Sequence, residues 1–426
     1  MALTDGSLAG EPDPFEDLDA RRTKSTSDDP FSDLAPKSDK PEQPQKQQNK
    51  KPTETKKSLL ERVFTEQVTY KKELYFQLSY SGEKDRENNL GIYNRHSVGF
   101  EIYKRFASNT ATIAAFDFQG RLVRRDNYFD ITNNMGEARD GWSFEVHNAY
   151  LDFYNVFNPA LGGAARGANI GRFNVRIGHF YLPLGINLQT DTHGTIMQLS
   201  NDRNLGYERD WYAGLWGSIN ADVNYDIYYL LGSGTDLSFK GQKGLVGGRL
   251  SLANKYRNEN GVEAGLGFLF GERISKQAVK RSPSVAADAD NNAVVDTVRF
   301  GPDWRYTRLV PTGSLSLTGE ISIGQDESDR LLTQLYQLDY LNRSRKWGLS
   351  AQYRRFWQGI GRGNVPPGET IPRSSDASLF GEFTWYFRND IGGNNYHWIK
   401  MNVEHQLERQ DGNKDTIIML QYYRYW

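Results

Sequence analysis

The chain has 426 residues, among them 41 glycines, 24 tyrosines, 22 phenylalanines and 9 tryptophans, and its mean hydropathy of −0.69 is polar for a sequence that is 13% aromatic. The absence of cysteine excludes disulfides, thiolate metal sites, iron–sulfur clusters, a cysteine nucleophile and attached c-type haem. The 52 basic and 53 acidic residues nearly cancel, so the net charge gives no indication of a nucleic-acid partner. No run of about 18 apolar residues exists, which excludes a membrane-spanning helix but not membrane-spanning strands.

The amino-terminal part of the sequence differs in composition from the rest. Residues 1–10 lack the basic and apolar regions of a signal peptide, and none is visible in this chain. Residues 11–57 are rich in proline, lysine and glutamine, and their only aromatic residues are Phe15 and Phe31. Such a segment buries too little apolar surface to offset its ordering entropy. We therefore predict that residues 1–57 form a disordered tail.

The tail contains one internal repeat. Asp13-Pro-Phe-Glu-Asp-Leu18 recurs as Asp29-Pro-Phe-Ser-Asp-Leu34. A phenylalanine and a leucine in an acidic frame can act as a linear docking motif for another protein, but duplicated linker sequence is the commoner origin of such a repeat. Residues 58–65, which follow the tail, are predicted to be a short amphipathic linker.

From residue 66 onward, apolar and polar residues alternate with a period of two. In the first segment Leu74, Phe76 and Leu78 share one face, whereas Glu73 and Gln77 share the other. The alternation predicts sixteen strands, at 66–81, 93–107, 111–125, 142–157, 171–181, 209–220, 222–232, 243–254, 261–272, 296–309, 312–324, 330–342, 346–358, 376–389, 395–409 and 414–426. Each strand has one apolar and one polar face.

The connections between the predicted strands alternate in length. Short connections are predicted at 108–110, 221, 310–311 and 342–345, and long ones at 126–141, 182–208, 273–295 and 359–375, whereas the stretch 158–170 is longer than this alternation expects. An even number of strands with alternately short and long connections is typical of a bacterial outer-membrane barrel. We therefore predict that residues 66–426 form one all-β, transmembrane, antiparallel barrel. The alternative is a soluble propeller or pair of sandwiches, but the sequence shows no repeated blade motif.

Aromatic residues support the membrane barrel. The last strand closes on Trp426, preceded at alternate positions by Tyr422, Leu420 and Ile418, which is the pattern that the barrel-insertion machinery of Gram-negative bacteria recognises. An interfacial aromatic girdle or a lipid-facing position is predicted for Trp211, Trp216, Trp347, Trp385 and Trp398.

A family resemblance arises at the fifth strand and the loop after it. Phe173-Asn-Val-Arg-Ile-Gly-His-Phe-Tyr-Leu-Pro-Leu-Gly185, followed by Asp191-Thr-His193 and Gly206-Tyr-Glu-Arg-Asp-Trp211, resembles the phosphate-selective porin O/P family. In that family a strand ending in Gly-x-x-x-x-Pro-x-Gly leads into a long third loop that folds into the pore. The resemblance implies a sixteen-stranded homotrimeric porin in outer-membrane lipid, constricted by loop 182–208. The implied constriction residues are Asp191, His193, Asp202, Arg203, Glu208 and Arg209.

The polar faces of the strands predict the wall of the pore. The basic residues assigned to it are Lys71, Arg105, Arg121, Arg176, Arg249, Arg354 and Lys400. The acidic residues on the same faces are Glu73, Glu101, Asp117, Asp152, Asp226, Glu263, Glu320, Asp339, Glu382, Glu404 and Glu408. Because both signs are present, the wall argues against a dedicated phosphate channel and predicts weak selectivity that favours cations.

Two functions agree with this sequence. The preferred one is passive diffusion of small hydrophilic solutes or ions through an outer-membrane porin. The alternative is a sheath or partner platform of a porin–cytochrome electron conduit, with a separate haem protein as the electron carrier. Catalysis is not expected, because Asp191 and His193 lie two residues apart in a loop where local turn hydrogen bonds are the usual arrangement. No metal or other cofactor is expected, and the only further partner suggested is a periplasmic protein bound by the repeats of the tail.

Overall fold

The computed structural model describes residues 68–81, 92–107, 112–126, 141–158, 172–185, 209–220, 222–234, 239–253, 261–274, 294–327, 329–359, 373–390, 395–408 and 416–426. The predicted tail at 1–57, its two repeats and the linker at 58–65 lie outside these residues. In the part of the chain that is described, no helix is long and apolar enough to cross a membrane.

Sixteen strands form the described structure. They are β1 (Val68–Ser81), β2 (Ile92–Ala107), β3 (Thr112–Asp126), β4 (Gly141–Phe153), β5 (Asn174–Tyr181), β6 (Arg209–Ser218), β7 (Val223–Leu230), β8 (Gly244–Ala253), β9 (Gly261–Ile274), β10 (Val294–Val310), β11 (Gly313–Asp326), β12 (Asp329–Asn342), β13 (Trp347–Gly359), β14 (Arg373–Asp390), β15 (Asn395–Glu408) and β16 (Thr416–Tyr425). Every predicted strand is present. The largest difference is in β4, which ends at Phe153 rather than at residue 157 because the chain leaves the sheet at Asn155, where φ is 45°.

The strands close into a single barrel. Each strand pairs antiparallel with the next along the chain, and β16 pairs with β1. The first and last strands are also joined by two backbone bonds at this junction, because the amide of Lys72 donates to the carbonyl of Trp426 at 2.8 Å and the reverse bond is 3.0 Å long. Closure leaves no free sheet edge, so the backbone hydrogen bonds of the strands are made within the barrel. The predicted fold class is confirmed.

The alternation of residues along each strand gives the barrel two different surfaces. On β1, Phe76 and Leu78 are 45% and 48% exposed, whereas Glu73 and Gln77 on the opposite face are 1% and 7% exposed. The same pattern repeats around the barrel. The outer surface is therefore apolar and the inner surface polar, the reverse of a water-soluble domain.

Two of the predicted lipid-facing tryptophans are in fact on the inner face. Trp216 pairs with Asp226 and is 6% exposed, and Trp398 pairs with Tyr423 and is 9% exposed. The prediction was wrong for these residues because proximity to a strand end does not fix the face, which depends on whether the position in the strand is odd or even. Trp385 is on the outer face as predicted, where it is 43% exposed.

The connections follow the predicted alternation with two exceptions. β4 and β5 are joined by residues 154–173, the longest connection at the end of the barrel where Trp426 lies. β11 and β12 are joined at the opposite end by residues 327–328 alone, although the other connections at that end are longer. Glu327 takes a φ of 50° in this tight turn, and Asp326 and Asp329 are the paired residues at its two ends.

Candidate functional site: the barrel interior

All seven basic residues that were assigned to the wall lie on the inner faces of their strands. Lys71 stands over the inward-facing ring of Tyr425, and Arg105 pairs with the inward-facing position Ala115. The other five make ion pairs with inward-facing carboxylates. The pairs are Arg121–Glu73, Arg176–Asp152, Arg249–Asp303, Arg354–Glu404 and Lys400–Glu382.

These pairs have the geometry of specific, charge-compensating contacts. Arg176 donates to both oxygens of Asp152 at 2.7 Å, and Arg249 donates to both oxygens of Asp303 at 3.0 and 2.6 Å. A bidentate guanidinium–carboxylate pair fixes both groups and cancels their net charges. The inner wall therefore places opposite charges in contact at these positions.

A glycine makes the most buried of these pairs possible. Gly99 on β2 lies between Glu73 on β1 and Arg121 on β3 in the same register row. A Cβ at Gly99 would lie 3.0 Å from Cγ of Arg121 and 3.1 Å from Cβ of Glu73, which is tighter than ordinary packing. The missing side chain lets the Arg121 guanidinium cross β2 to the Glu73 carboxylate, and both side chains are almost completely buried.

A β-bulge in β4 supplies a histidine to the same wall. The pairing of β3 with β4 shifts register between Gln119 and Gly120, which adds His147 as an extra residue. Its Nδ1 lies 2.7 Å from Nη1 of Arg121 and 2.8 Å from Nη2 of Arg209. Nη1 of Arg121 also lies 2.9 Å from its Nε2, so the imidazole packs directly against two guanidinium groups.

Further arginines extend this group into an arginine cluster. Arg95 and Arg125 both contact the carboxylate of Glu145, and the Arg95 contact is 3.4 Å long. Together with Arg121 and Arg209, four guanidinium groups accompany the carboxylates of Glu73 and Glu145 among the described residues. The arginine cluster therefore carries more basic than acidic groups.

The chain turns into the barrel immediately after β5. Leu182 and Leu184 are 0% and 2% exposed. They pack in one cluster with inward-facing side chains of β6–β9, namely Tyr212, Tyr228, Leu230, Leu245 and Leu269. Gly267 on β9 provides the space, because a Cβ there would lie 2.7 Å from Cδ1 of Leu184. This apolar cluster holds the first residues of the long predicted loop against the inner wall.

The chain segment that follows β5 reaches β11 across the interior. Gly185 has a φ of 87°, a conformation that favours glycine, and a Cβ at this position would overlap the carboxylate of Glu320 on β11. Because β11 is six strands away from β5 around the wall, the chain at Gly185 lies inside the barrel and not along its rim. Pro183 contributes a carbonyl that accepts a weak, 3.5 Å hydrogen bond from the hydroxyl of Tyr228.

Of the six predicted constriction residues, Arg209 lies in the described part of the chain. Arg209 is the first residue of β6, is buried, and contacts Tyr181 and His147. Outside the described residues lie Asp191, His193, Asp202, Arg203 and Glu208. Within the described part of the chain, no group of three or more His, Asp or Glu side chains is arranged to hold a metal ion.

Two residues of the interior were not singled out by sequence reasoning. His147 was missed because one uninterrupted alternation was predicted for this strand, whereas the bulge shifts its outward apolar positions from Trp142 and Phe144 to Leu151 and Phe153. Glu320 was assigned to the wall only as one acid among many, and its contact with Gly185 depends on closure of the barrel. The family motif placed Gly185 at the start of the long loop, but its positive φ was not predicted.

Comparison with known proteins gives the fold its context. No protein family matches this sequence, and no curated protein does. Among solved structures, OprB of Pseudomonas putida (high-pH structure) is similar, with a TM-score of 0.58 and 9% identity over 84% of this chain and 94% of that one. The outer membrane channel DcaP of Acinetobacter baumannii has a TM-score of 0.51 and 9% identity, covering 84% and 97% of the two chains. OmpF of Salmonella typhi, in complex with daunomycin, has a TM-score of 0.50 and 10% identity with the same coverage. The chain therefore has the barrel fold of the outer-membrane porins.

Proposed function

We propose that this chain is an outer-membrane porin, a passive diffusion channel for small hydrophilic solutes or ions. The observation that carries the proposal is the combination of an apolar outer surface, a polar inner surface and a chain segment that turns inward at Leu182–Gly185. The apolar outer surface requires lipid, because water would leave its exposed rings and aliphatic side chains solvated. The inner surface offers hydrogen-bonding groups to a hydrated solute.

The resemblance to the phosphate-selective porin O/P family supports two further parts of the proposal. Loop 182–208 is the constriction, since its first residues are anchored inside the barrel beside Glu320. The functional unit is a homotrimer in the outer membrane, as the resemblance implies. Phosphate itself is not proposed as the solute, because most wall arginines are paired with carboxylates.

The basic test of this proposal is conductance. The purified chain, refolded into a planar lipid bilayer, should pass ions without any added protein. A sheath around a separate cytochrome would conduct poorly or only when its partner is present. Membranes that stay electrically closed in the presence of the folded barrel would therefore contradict the porin proposal and favour the sheath.

Ion selectivity should be weak. We expect reversal potentials in a KCl gradient to give permeabilities for K⁺ and Cl⁻ within about tenfold of each other, equivalent to less than about 1.4 kcal/mol, with K⁺ slightly favoured. The reason is that paired charges on the wall attract neither ion strongly. Strong anion selectivity, or current that saturates in millimolar phosphate, would show that the arginine cluster dominates the wall.

The tail should be dispensable for the barrel. It precedes β1 at the end of the barrel where Trp426 lies, which is the periplasmic end in a porin with an even number of strands. Deleting residues 1–57 should leave heat-modifiable mobility in gels and single-channel conductance unchanged. Failure of the truncated chain to assemble would contradict the proposed tail and barrel division.

The repeats of the tail can be tested separately. If they dock a periplasmic protein, Phe15→Ala with Phe31→Ala should abolish its co-purification while the pore still conducts. The matched control is Leu3→Ala with Leu8→Ala, which removes two apolar side chains of the tail that lie outside the repeats. Co-purification that survives the double phenylalanine change would identify the repeats as linker sequence.

A further inference from the structure

An aromatic patch covers part of the inner wall near the end of the barrel where Trp426 lies. Register places Tyr75, Tyr423, Trp398 and Tyr386 side by side across β1, β16, β15 and β14. Trp398 and Tyr423 are stacked, with ring centroids 4.5 Å apart and an interplanar angle of 26°. The patch is completed in the next row by Tyr396 and Tyr425.

The patch faces the interior and not the lipid. Tyr75 lies on the same face of β1 as Glu73 and Gln77, and Tyr425 is the direct partner of Glu73. An aromatic girdle for the membrane interface belongs on the outer surface, and the inner wall of a barrel of this type is ordinarily polar. Six contiguous aromatic side chains inside the barrel therefore call for an explanation other than contact with lipid.

Part of the patch is held rigidly and part is accessible. The hydroxyl of Tyr423 donates to Glu73 at 3.3 Å, that of Tyr425 donates to Glu101, and Gln421 donates to the hydroxyl of Tyr75 at 2.9 Å. Tyr386 and Tyr396 are more exposed than the other four members of the patch, and their rings pack against Trp398 at centroid distances of 5.9 and 5.6 Å. A fixed aromatic base with two accessible rings is a preorganised binding surface.

Acidic groups outnumber basic groups around the patch. Among the described residues, the three basic groups beside it are Lys71, Arg121 and Lys400, and the five acidic groups are Glu73, Glu101, Asp117, Asp339 and Glu382. Lys400 donates to Glu382 at 3.0 Å while its ammonium lies 5.4 Å from the ring of Trp398. Such surroundings give an anion no net attraction, and their carboxylates can accept hydrogen bonds from hydroxyl donors.

The chemistry of the patch combines ring faces with polar groups at their edges. A flat aromatic solute would use the ring faces but not the hydroxyl and carboxylate groups at their edges. A sugar matches both features of the patch. One face of its ring carries C–H groups that can pack on the aromatic rings, and its rim carries hydroxyls that can bind the polar groups. We propose that the aromatic patch is a binding site for neutral polyhydroxylated solutes, that is, sugars or short oligosaccharides passing through the barrel. This inference rests on the proposed porin function.

The test is block of ionic current by a neutral sugar. Maltotriose added to the channel in a planar bilayer should reduce the current in a saturable manner. Tyr386→Ala and Tyr396→Ala should each raise the concentration for half-maximal block about fivefold or more, whereas Tyr386→Phe should stay within about twofold, since the ring face supplies the contact. Trp385→Ala is the matched control, because Trp385 is the adjacent residue on the outer face of β14 and should not alter the block.

Three outcomes would overturn the inference. Block by maltotriose that is no larger than that by poly(ethylene glycol) of the same hydrodynamic size would mean that only excluded volume is measured. Unchanged block in both alanine variants would show that the patch does not touch the sugar. A loss of thermal stability in these variants with unchanged block would assign the patch to closure of the barrel between β16 and β1. In each case the unblocked channel would still conduct, whereas a barrel that passes no current would refute the proposed porin function itself.

Discussion

Removing the apolar anchor of the inward turn should open the channel. In the double variant Leu182→Ala/Leu184→Ala, we expect a higher single-channel conductance and larger current fluctuations. Both leucines are fully or almost fully buried against β6–β9, and truncating one buried leucine typically costs about 2–5 kcal/mol. Without this contact the apolar cluster no longer holds residues 182–185 at the inner wall. The measurement is single-channel recording in planar bilayers.

The matched control removes the same atoms from the outer surface. Leu215→Ala/Leu252→Ala changes two leucines that are 41% and 56% exposed on the outer faces of β6 and β8, and the conductance should stay as in the original chain. A second variant, Gly185→Ala, disturbs the turn from its other side by straining a positive φ and crowding Glu320. If Leu182→Ala/Leu184→Ala and Gly185→Ala both conducted like the original chain, residues 182–185 would not limit the current.

Breaking the ion pair between Arg121 and Glu73 should destabilise the barrel severely. Arg121→Met removes the guanidinium but leaves the Glu73 carboxylate buried, and an uncompensated buried charge costs about 3–5 kcal/mol. Equilibrium unfolding in urea, with the barrel refolded into lipid vesicles, should show this as a lower midpoint at unchanged slope. Arg124→Met is the control, because Arg124 is on the outer face of the same strand, 6.0 Å from the ring of Trp142.

A second substitution, at Glu73, separates the effect of charge from the effect of packing. Glu73→Gln with Arg121→Met should recover most of the lost stability, since a neutral pair no longer leaves a buried charge without a counterion. Tyr423, which donates to Glu73, can still donate to the amide oxygen of a glutamine. If the double variant were as unstable as Arg121→Met alone, the loss would come from packing around the long arginine side chain and not from its charge.

The architecture of the barrel followed from local information in the sequence. Alternation such as that of Leu74, Phe76 and Leu78 against Glu73 and Gln77 identifies a strand and its two faces without knowledge of any partner strand. The seven basic wall residues were found in this way because a period of two fixes the face once one residue of the strand is placed. The prediction was wrong for Trp216 and Trp398 because it relied on nearness to a strand end and not on the alternation.

The contacts inside the barrel required the closed tertiary structure. Tyr75 meets Tyr423 only because the first and last strands pair, and Gly185 meets Glu320 only because the chain turns across the interior. His147 reaches Arg121 through a bulge, a local irregularity that shifts the alternation of β4 by one residue. The sequence alone determined which residues of a regular strand face inward, since that depends on neighbours along one strand. Tertiary structure decided which inward residues touch, because register, closure and curvature bring together positions that are distant in the chain.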